Sequence, residues 1–364
     1  MDKKIAIVSW IGTGNFGTSL QSYALHEKLR QLGYHVCILQ KITYKQWMLN
    51  FLKRIVEGKS KKNSTSSKGL YKLRRFNKEK YNVFRLYTFF HYRYLLKHIS
   101  VFITGSDQVW NTMHNYDSFY FLSFARKCKR IAYAPSIGTT QVNPMFQDAV
   151  RNHLLKYQHI GVREQSAVSV LSKLTGRNDI VQVMDPTFLL DAEDWRFLAG
   201  EAEIELQLPK QYILCYLIGN NDNYLFQLEV VKEKLGIDNI IIIPSLENPL
   251  FTMNGAVVYS NAGPKEFVYL IDNATYICTD SFHATAISIN LCKDFIEFIR
   301  FKDNEKNSQN SRIYDLLQHY GLMNRIYGFP KNDLYRSIKY EEIKKEVKYE
   351  RKYCITYLKN SIKF

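Results

Sequence analysis

No two of the six cysteines form a Cys-x-x-Cys pair, and no apolar run approaches the roughly 20 residues of a spanning helix. The first absence argues against a metal knot or a disulfide framework. Cys37, Cys128, Cys215, Cys278, Cys292 and Cys354 read instead as free thiols, four of them in or beside apolar runs, which suits a reducing cytoplasm. The second absence implies a chain that is cytoplasmic, attached at most to the inner face of the cell membrane. A signal peptide is not expected either, because Met1-Asp2-Lys3-Lys4 runs straight into a short strand-like stretch without a small-residue cleavage site. Acidic residues are scarce beside basic ones, 34 against 50, leaving a net charge of +16. That surplus favours anionic partners. No zinc finger, bZIP or RRM pattern is present, so nucleic acid is not among those expected.

What the chain does have is length and alternation. At 364 residues, 46% of them apolar, it can fill two α/β domains. A β-rich run from Ile5 to Ile11 ends at Gly12. A helical stripe comes next (Leu20, Tyr23, Ala24, Leu25, Leu29) and stops at Gly33, and His35 to Leu39 reads as the next strand. This βαβ opening implies a parallel sheet. Further strands are expected at Val101 to Thr104, Arg130 to Ser136, His159 to Val162 and Ile180 to Met184, with a helix from Glu164 to Leu174. A second α/β rhythm starts near Tyr212, with strands at Tyr212 to Ile218, Ile240 to Ile243, Tyr276 to Cys278 and Phe295 to Phe298. The expected division is an N-terminal domain over 1–200, a C-terminal domain over 201–339 and a basic amphipathic helix over 340–364. Residues 44–94 break the rhythm. Trp47, Met48, Leu49, Phe51, Leu52, Ile55 and Val56 form an apolar patch, succeeded by Ser- and Lys-rich residues and by Lys72, Arg74, Arg75, Lys78 and Lys80. This insertion reads either as a solvated loop between helices or as an interfacial anchor for anionic lipid.

Four polar clusters sit where strands end. Gly12-Thr13-Gly14-Asn15-Phe16-Gly17 fits G-x-G-x-x-G after a strand and before a helix. Nicotinamide sites also place an acid at the end of the second strand, and here that strand ends Gln40-Lys41, so no such cofactor is expected. Gly14, Asn15 and Gly17 remain candidates for approach to a substrate at a helix N-terminus. In Gly105-Ser106-Asp107-Gln108-Val109-Trp110-Asn111, Asp107 and Asn111 could bond sugar hydroxyls, with Ser106 beside them, and Trp110 could stack on a sugar face. A capped helix is the plainer reading. Arg163 suits a carboxylate or phosphate, or else pairs with Glu164.

The sharpest cluster is Thr279-Asp280-Ser281-Phe282-His283, between an apolar strand and an apolar helix. Ser281 can cap that helix, its free N–H groups can meet an anion, and His283 in the first turn can exchange a proton. Arg300, Lys302 and Arg312 extend the positive character downstream.

Taken in order, several of these segments resemble the polysaccharide pyruvyl transferase family. The matching residues are Gly14-Asn15-Phe16-Gly17 with Leu20-Gln21-Ser22-Tyr23-Ala24-Leu25, Gly105 to Asn111, Tyr133-Ala134-Pro135-Ser136-Ile137-Gly138, Arg163-Glu164, Asp185-Pro186-Thr187, Thr279 to His283, and Ser311-Arg312-Ile313 with Asp315-Leu316-Leu317. Where the family usually reads Ser-Phe-His-Gly, this chain has Ala284. The resemblance implies two Rossmann-like domains facing a cleft, as in GT-B glycosyltransferases. It also implies transfer of the carboxyvinyl unit of phosphoenolpyruvate to a sugar or lipid-linked oligosaccharide, with release of phosphate and without metal or cofactor. By that resemblance, His283 and Arg163 would be the catalytic pair across the cleft, with His283 either binding phosphate or moving a proton. Gly14, Asn15, Gly17, Ser106, Asp107, Trp110, Asn111, Ser281, Phe282, Arg300 and Arg312 would bind substrates. A nucleotide-sugar glycosyltransferase of the same architecture and a non-catalytic glycan-binding module are the alternatives.

Overall fold

The computed structural model describes residues 4–12, 14–42, 48, 68–245, 249–301, 309–329 and 334–363. Twelve short strands are described. They are β1 (Lys4–Val8), β2 (His35–Lys41), β3 (Val83–Leu86), β4 (Val101–Thr104), β5 (Lys129–Tyr133), β6 (His159–Val162), β7 (Val181–Gln182), β8 (Ile213–Tyr216), β9 (Ile240–Ile242), β10 (Val257–Val258), β11 (Tyr276–Thr279) and β12 (Phe295–Glu297). They form a seven-stranded sheet in the order β3-β2-β1-β4-β5-β6-β7 and a five-stranded sheet in the order β10-β9-β8-β11-β12. Every pairing is parallel. Parallel strands need crossovers, and helices supply most of them on both faces. The strands accordingly read as continuous apolar runs, with β4 and β8 buried at every position.

Each sheet reverses its strand order once, between β1 and β4 and between β8 and β11. At such a switch point the connections leave in opposite directions and open a crevice beyond the carboxyl ends of the strands. The two crevices share one cavity. A buried seam joins the halves beside it. Phe16, at the start of the Phe16–Gln31 helix, packs 5.9 Å from Tyr216 and 5.4 Å from Phe267.

Residues 44–94 depart from expectation. Most of the apolar patch and the Ser- and Lys-rich run lie outside the described residues. From Lys68 onward the segment continues the sheet: a helix Lys68–Lys80, then β3 in register with β2, then a helix Phe89–His98. The basic face of the Lys68–Lys80 helix is held by acids of the second half. Lys72 Nζ lies 3.0 Å from Glu266, Arg75 3.0 Å from Glu203, Lys80 2.7 Å from Glu201 and Lys68 3.1 Å from Glu205. That helix therefore clamps the two halves, and these side chains do not stand free for lipid. The C-terminal helix, Tyr340–Ile362, buries Tyr340, Ile343, Val347, Cys354, Leu358 and Ile362, a three-to-four residue stripe. It runs back to the first sheet, where the Tyr357 hydroxyl donates to the Ala132 carbonyl at 3.2 Å. Among the described residues no helix is long and apolar enough to cross a membrane.

Candidate active site

A cavity of about 1050 Å³ opens between the two sheets, lined by residues just beyond β1, β4, β8, β11 and β12. His283 reaches it from the first turn of the Phe282–Asn290 helix. The local sequence sets that position. Ser281 is extended, its hydroxyl accepts from the Ala284 amide, and the Thr279 hydroxyl accepts from the Ser281 amide at 3.1 Å. The amides of Phe282 and His283 have no intrahelical partner, as in any first helical turn.

The imidazole is wedged between two elements of the other half. On one side stands Gly17, where a Cβ would come within 2.5 Å of His283 Nδ1. On the other, Nε2 lies 3.8 Å from Asp185 Oδ2 and makes no hydrogen bond among the described residues. Burial lowers the imidazole's pKa below its ordinary value of 6.5, against the pull of Asp185 and Asp107 and with the help of Arg163 and Arg312. The neutral ring is thus favoured at neutral pH and can accept a proton.

Asp185 organises the floor beneath the histidine. Its Oδ1 accepts from the Thr187 amide at 2.9 Å and hydroxyl at 2.8 Å, and its Oδ2 from the Ser106 hydroxyl at 3.2 Å and Arg163 Nη1 at 3.1 Å. This carboxylate belongs to the Asp-Pro-Thr segment but was not among the expected site residues. Its signal was the abrupt polar stop after an apolar strand. Asp280 is likewise consumed: it accepts from the Ile218 and Gly219 amides, from the Tyr224 hydroxyl and from Arg300 Nε.

The other expected residues divide. Gly14, Asn15, Asp107, Asn111, Ser281, Phe282, Arg300 and Arg312 line the cavity with His283. Asn15 also caps the first helix, accepting from the Gly17 and Thr18 amides, so those two groups are taken. Asp107 adopts a left-handed backbone, φ 74°, costly for a non-glycine residue and concentrated at functional sites. Its carboxylate accepts from the Thr18 hydroxyl at 2.8 Å.

Four placements correct the sequence reading. Trp110 is only 1% exposed, stacks on Phe121 at 5.4 Å and donates its indole N–H to the Tyr120 carbonyl, so no sugar can reach its face. Ser106 is buried under Asp185. Gly17 makes room for His283. Arg163 does not face His283 across the cleft. It lies behind Phe282, 4.2 Å from the ring centroid, with Nε on Glu164 at 2.8 Å and Nη1 on Asp185. It lines a second cavity of about 330 Å³. Lys302 lies outside the described residues, and Lys41, which also lines the cavity, pairs with Asp117 at 2.9 Å.

Arg312 is the opposite case. It is 9% exposed and lines both cavities, and among the described residues no carboxylate lies within ion-pair distance of it. Its Nη2 donates to Gln309 Oε1 at 2.8 Å, and Nε has no partner among the described residues. Burial, then the charges of Arg163 and Arg300, push its pKa down to about 9. Gln309, which holds it, carried no recognisable signal in the sequence. Away from the cleft, His319, Glu346 and Glu350 converge within metal-ligand reach, a grouping that linear spacing could not reveal. His319 is already bonded to Glu350 at 2.6 Å.

The fold is shared widely among known structures. UDP-GlcNAc 2-epimerase from Methanocaldococcus jannaschii superposes with a TM-score of 0.50 at 13% identity, covering 96% of this chain and 100% of that one. UDP-GlcNAc 2-epimerase from Neisseria meningitidis, bound to UDP-GlcNAc, gives 0.50 at 11% identity, covering 96% and 94%. These likenesses establish two Rossmann-like halves facing a cleft, the GT-B-like arrangement expected. No curated protein matches the sequence. The model of the polysaccharide pyruvyl transferase family matches residues 15–303, a span that holds the histidine, Gly17 and the Asp185 floor. The chain therefore belongs to the polysaccharide pyruvyl transferase family.

Proposed function

We propose that the protein transfers the carboxyvinyl unit of phosphoenolpyruvate to a sugar of a cell-surface polysaccharide or its lipid-linked precursor. The product is a pyruvyl ketal, and phosphate is released. The observation that carries this reading is Arg312, a buried guanidinium without a carboxylate partner among the described residues, lining the same cavity as His283. A buried cation without compensation calls for an anion. Phosphoenolpyruvate brings a carboxylate and a phosphate. Arg312 meets one of these groups, and the amides of Phe282 and His283 at the helix N-terminus favour the other.

The chemistry balances in three steps. A proton supplied by solvent adds to the methylene carbon, leaving an oxocarbenium-like centre at C2. One sugar hydroxyl attacks C2 and loses its proton. A second hydroxyl of the same sugar attacks, the bond from C2 to the phosphate oxygen breaks, and its proton leaves as phosphate departs. His283, neutral by burial, accepts a hydroxyl proton, and Asp185 at 3.8 Å favours the imidazolium so formed. Asp107, on the wall built by the first sheet, offers its carboxylate to sugar hydroxyls, while the Asn111 amide is held by the Met113 and His114 amides and by Gln108.

The test is a thermal-shift comparison and then a product assay. Phosphoenolpyruvate should stabilise the purified protein, while nucleotide sugars should not. Phosphate release should then depend on a sugar acceptor. Stabilisation by a nucleotide sugar alone would replace this reading with glycosyl transfer. Stabilisation by a glycan without turnover of any donor would make the protein a binding module.

A further inference from the structure

The Phe89–His98 helix buries only one of its ten residues, Leu95. Phe89 is 70% exposed, Phe90 76%, Tyr94 52% and Leu96 36%, and Tyr87 just before the helix is 43% exposed. Single exposed apolar side chains are ordinary, but five within ten residues form a patch that requires an explanation. Exposed basic residues are interleaved with them: Arg85, Arg93 and Lys97. Arg126 and Lys127 are exposed nearby, where the Cys128 thiol reaches the Leu96 carbonyl. Neighbouring Lys80 and Lys41 form ion pairs, but among the described residues none of these five does. Between residues 82 and 130 the only acids are Asp107 and Asp117, the first inside the cleft and the second paired with Lys41. Aromatic tips ringed by one sign of charge match the boundary of an anionic bilayer, where rings sit at headgroup depth and Lys and Arg meet phosphates.

The patch also has a definite place in the fold. The helix begins just beyond the carboxyl end of β3, the end of the sheet that carries the cleft, and runs back to the amino end, where Tyr94 and His98 lie beside Lys4 and His35. A row of rings links the helix to the cleft: Tyr92 lies edge-on to Phe124 at 5.4 Å, Phe124 stacks on Phe119 at 5.3 Å, and Phe119 lines the cleft.

We propose that the Tyr87–Lys97 face is a docking surface for an anionic lipid bilayer. Phe89, Phe90 and Tyr94 enter the interface, and Arg85, Arg93 and Lys97 meet its headgroups. Docking along this helix would hold the first sheet side-on at the membrane, with the cleft at its Phe89 end, where a lipid-linked acceptor is presented. That consequence rests on the proposed reaction; the docking itself does not.

The test is flotation of the full chain with phosphatidylcholine vesicles, with and without phosphatidylglycerol. The protein should float with the anionic vesicles and detach as salt is raised. Phe89→Ser with Phe90→Ser should weaken binding about tenfold or more. Arg93→Gln and Lys97→Gln should each weaken it about fivefold. All four positions are exposed, so melting temperatures should hold. Phosphate release with a water-soluble acceptor should be unchanged. Absence of wild-type binding, or binding unaffected by the Ser pair, would overturn the proposal. So would sedimentation showing that the Ser pair converts a dimer to a monomer, which would make the face a contact between copies. A protein that floats but releases no phosphate would count against the reaction alone.

Discussion

Arg163 and Arg312 are both buried and both line the cavity behind Phe282, yet the fold treats them in opposite ways. Arg163 is met by Glu164 and Asp185, and its cationic form is reinforced despite burial. Among the described residues Arg312 is met by a neutral amide, and burial with the charges of Arg163 and Arg300 outweighs the longer-range pull of Glu164 and Asp107, so its pKa falls. A buried cation matched by anions of its own chain is part of the scaffold. One left unmatched has its affinity reserved for something that arrives from outside. The residue the sequence suggested as the catalytic cation is thus the scaffold one, and the free charge belongs to a residue the sequence marked only as a substrate binder.

Two substitutions separate these roles, and the larger effect belongs to the scaffold. Arg163→Met would strand Glu164 and Asp185 as uncompensated buried acids, so it should cost about 3–5 kcal/mol of folding stability. Urea unfolding measures this directly, and an unchanged midpoint would remove the distinction. Arg312→Met removes an uncompensated charge, so the fold should be as stable as wild type or more so. Turnover of phosphoenolpyruvate should nevertheless fall about a hundredfold in kcat/KM, or about 2.7 kcal/mol, through loss of a charge-assisted anion contact. If Arg312→Met unfolds the protein and Arg163→Met only slows it, the assignments are reversed.

The reason the sequence pointed at Arg163 is physical. Strand-to-helix turns are local, so the run from Thr279 to His283 could be placed at a cleft from its neighbours alone. Whether a charge is compensated is not local. Asp185 lies 22 residues beyond Arg163, and Gln309 comes to Gln108 from 201 residues away. Trp110 misled for a similar reason. Polar neighbours made it look solvent-facing, while Phe121, eleven residues on, covers it. The alternation of strands and helices was legible wherever apolar runs were long. It failed at β3, a four-residue edge strand within a Lys-rich stretch, because short strands are made by their partners more than by their own composition.

A smaller change tests how tightly the histidine is held between the halves. Gly17→Ala places a methyl within 2.5 Å of His283 Nδ1 and 2.6 Å of its Cβ, so the ring must leave its place between Gly17 and Asp185. We expect about a tenfold loss in kcat with KM for phosphoenolpyruvate little changed, because Arg312 is untouched. A change confined to KM would mean that the glycine serves the substrate directly. The pH profile sharpens the same point. If His283 works as a neutral acceptor, kcat/KM should fall on the acid side, with its midpoint below 6.5 because burial lowers the imidazole pKa. In Arg312→Met the residual activity should show that limb moved upward, since a neighbouring cation is gone. A rate that rises on acidification would show that the protonated ring is the working form.

Glu297 extends the comparison to a buried acid. It sits at the end of β12 with no exposure, accepts a hydrogen bond from the Thr285 hydroxyl, and has a second oxygen without a partner among the described residues. Burial raises its pKa well above the ordinary 4.5, only partly offset by Thr285 and Arg300. Between pH 4.5 and that raised value the folded chain keeps a proton that the unfolded chain has released. Stability from this group is therefore fully present at low pH and declines as pH rises, by at most about 1.4 kcal/mol for each unit crossed. Glu297→Gln keeps an acceptor for Thr285 and has nothing to titrate. Its melting temperature should match wild type near pH 5 and exceed it by a growing margin toward pH 8. A margin that does not change with pH would mean that Arg300 compensates the acid as Glu164 and Asp185 compensate Arg163, and Glu297 would then join the paired class.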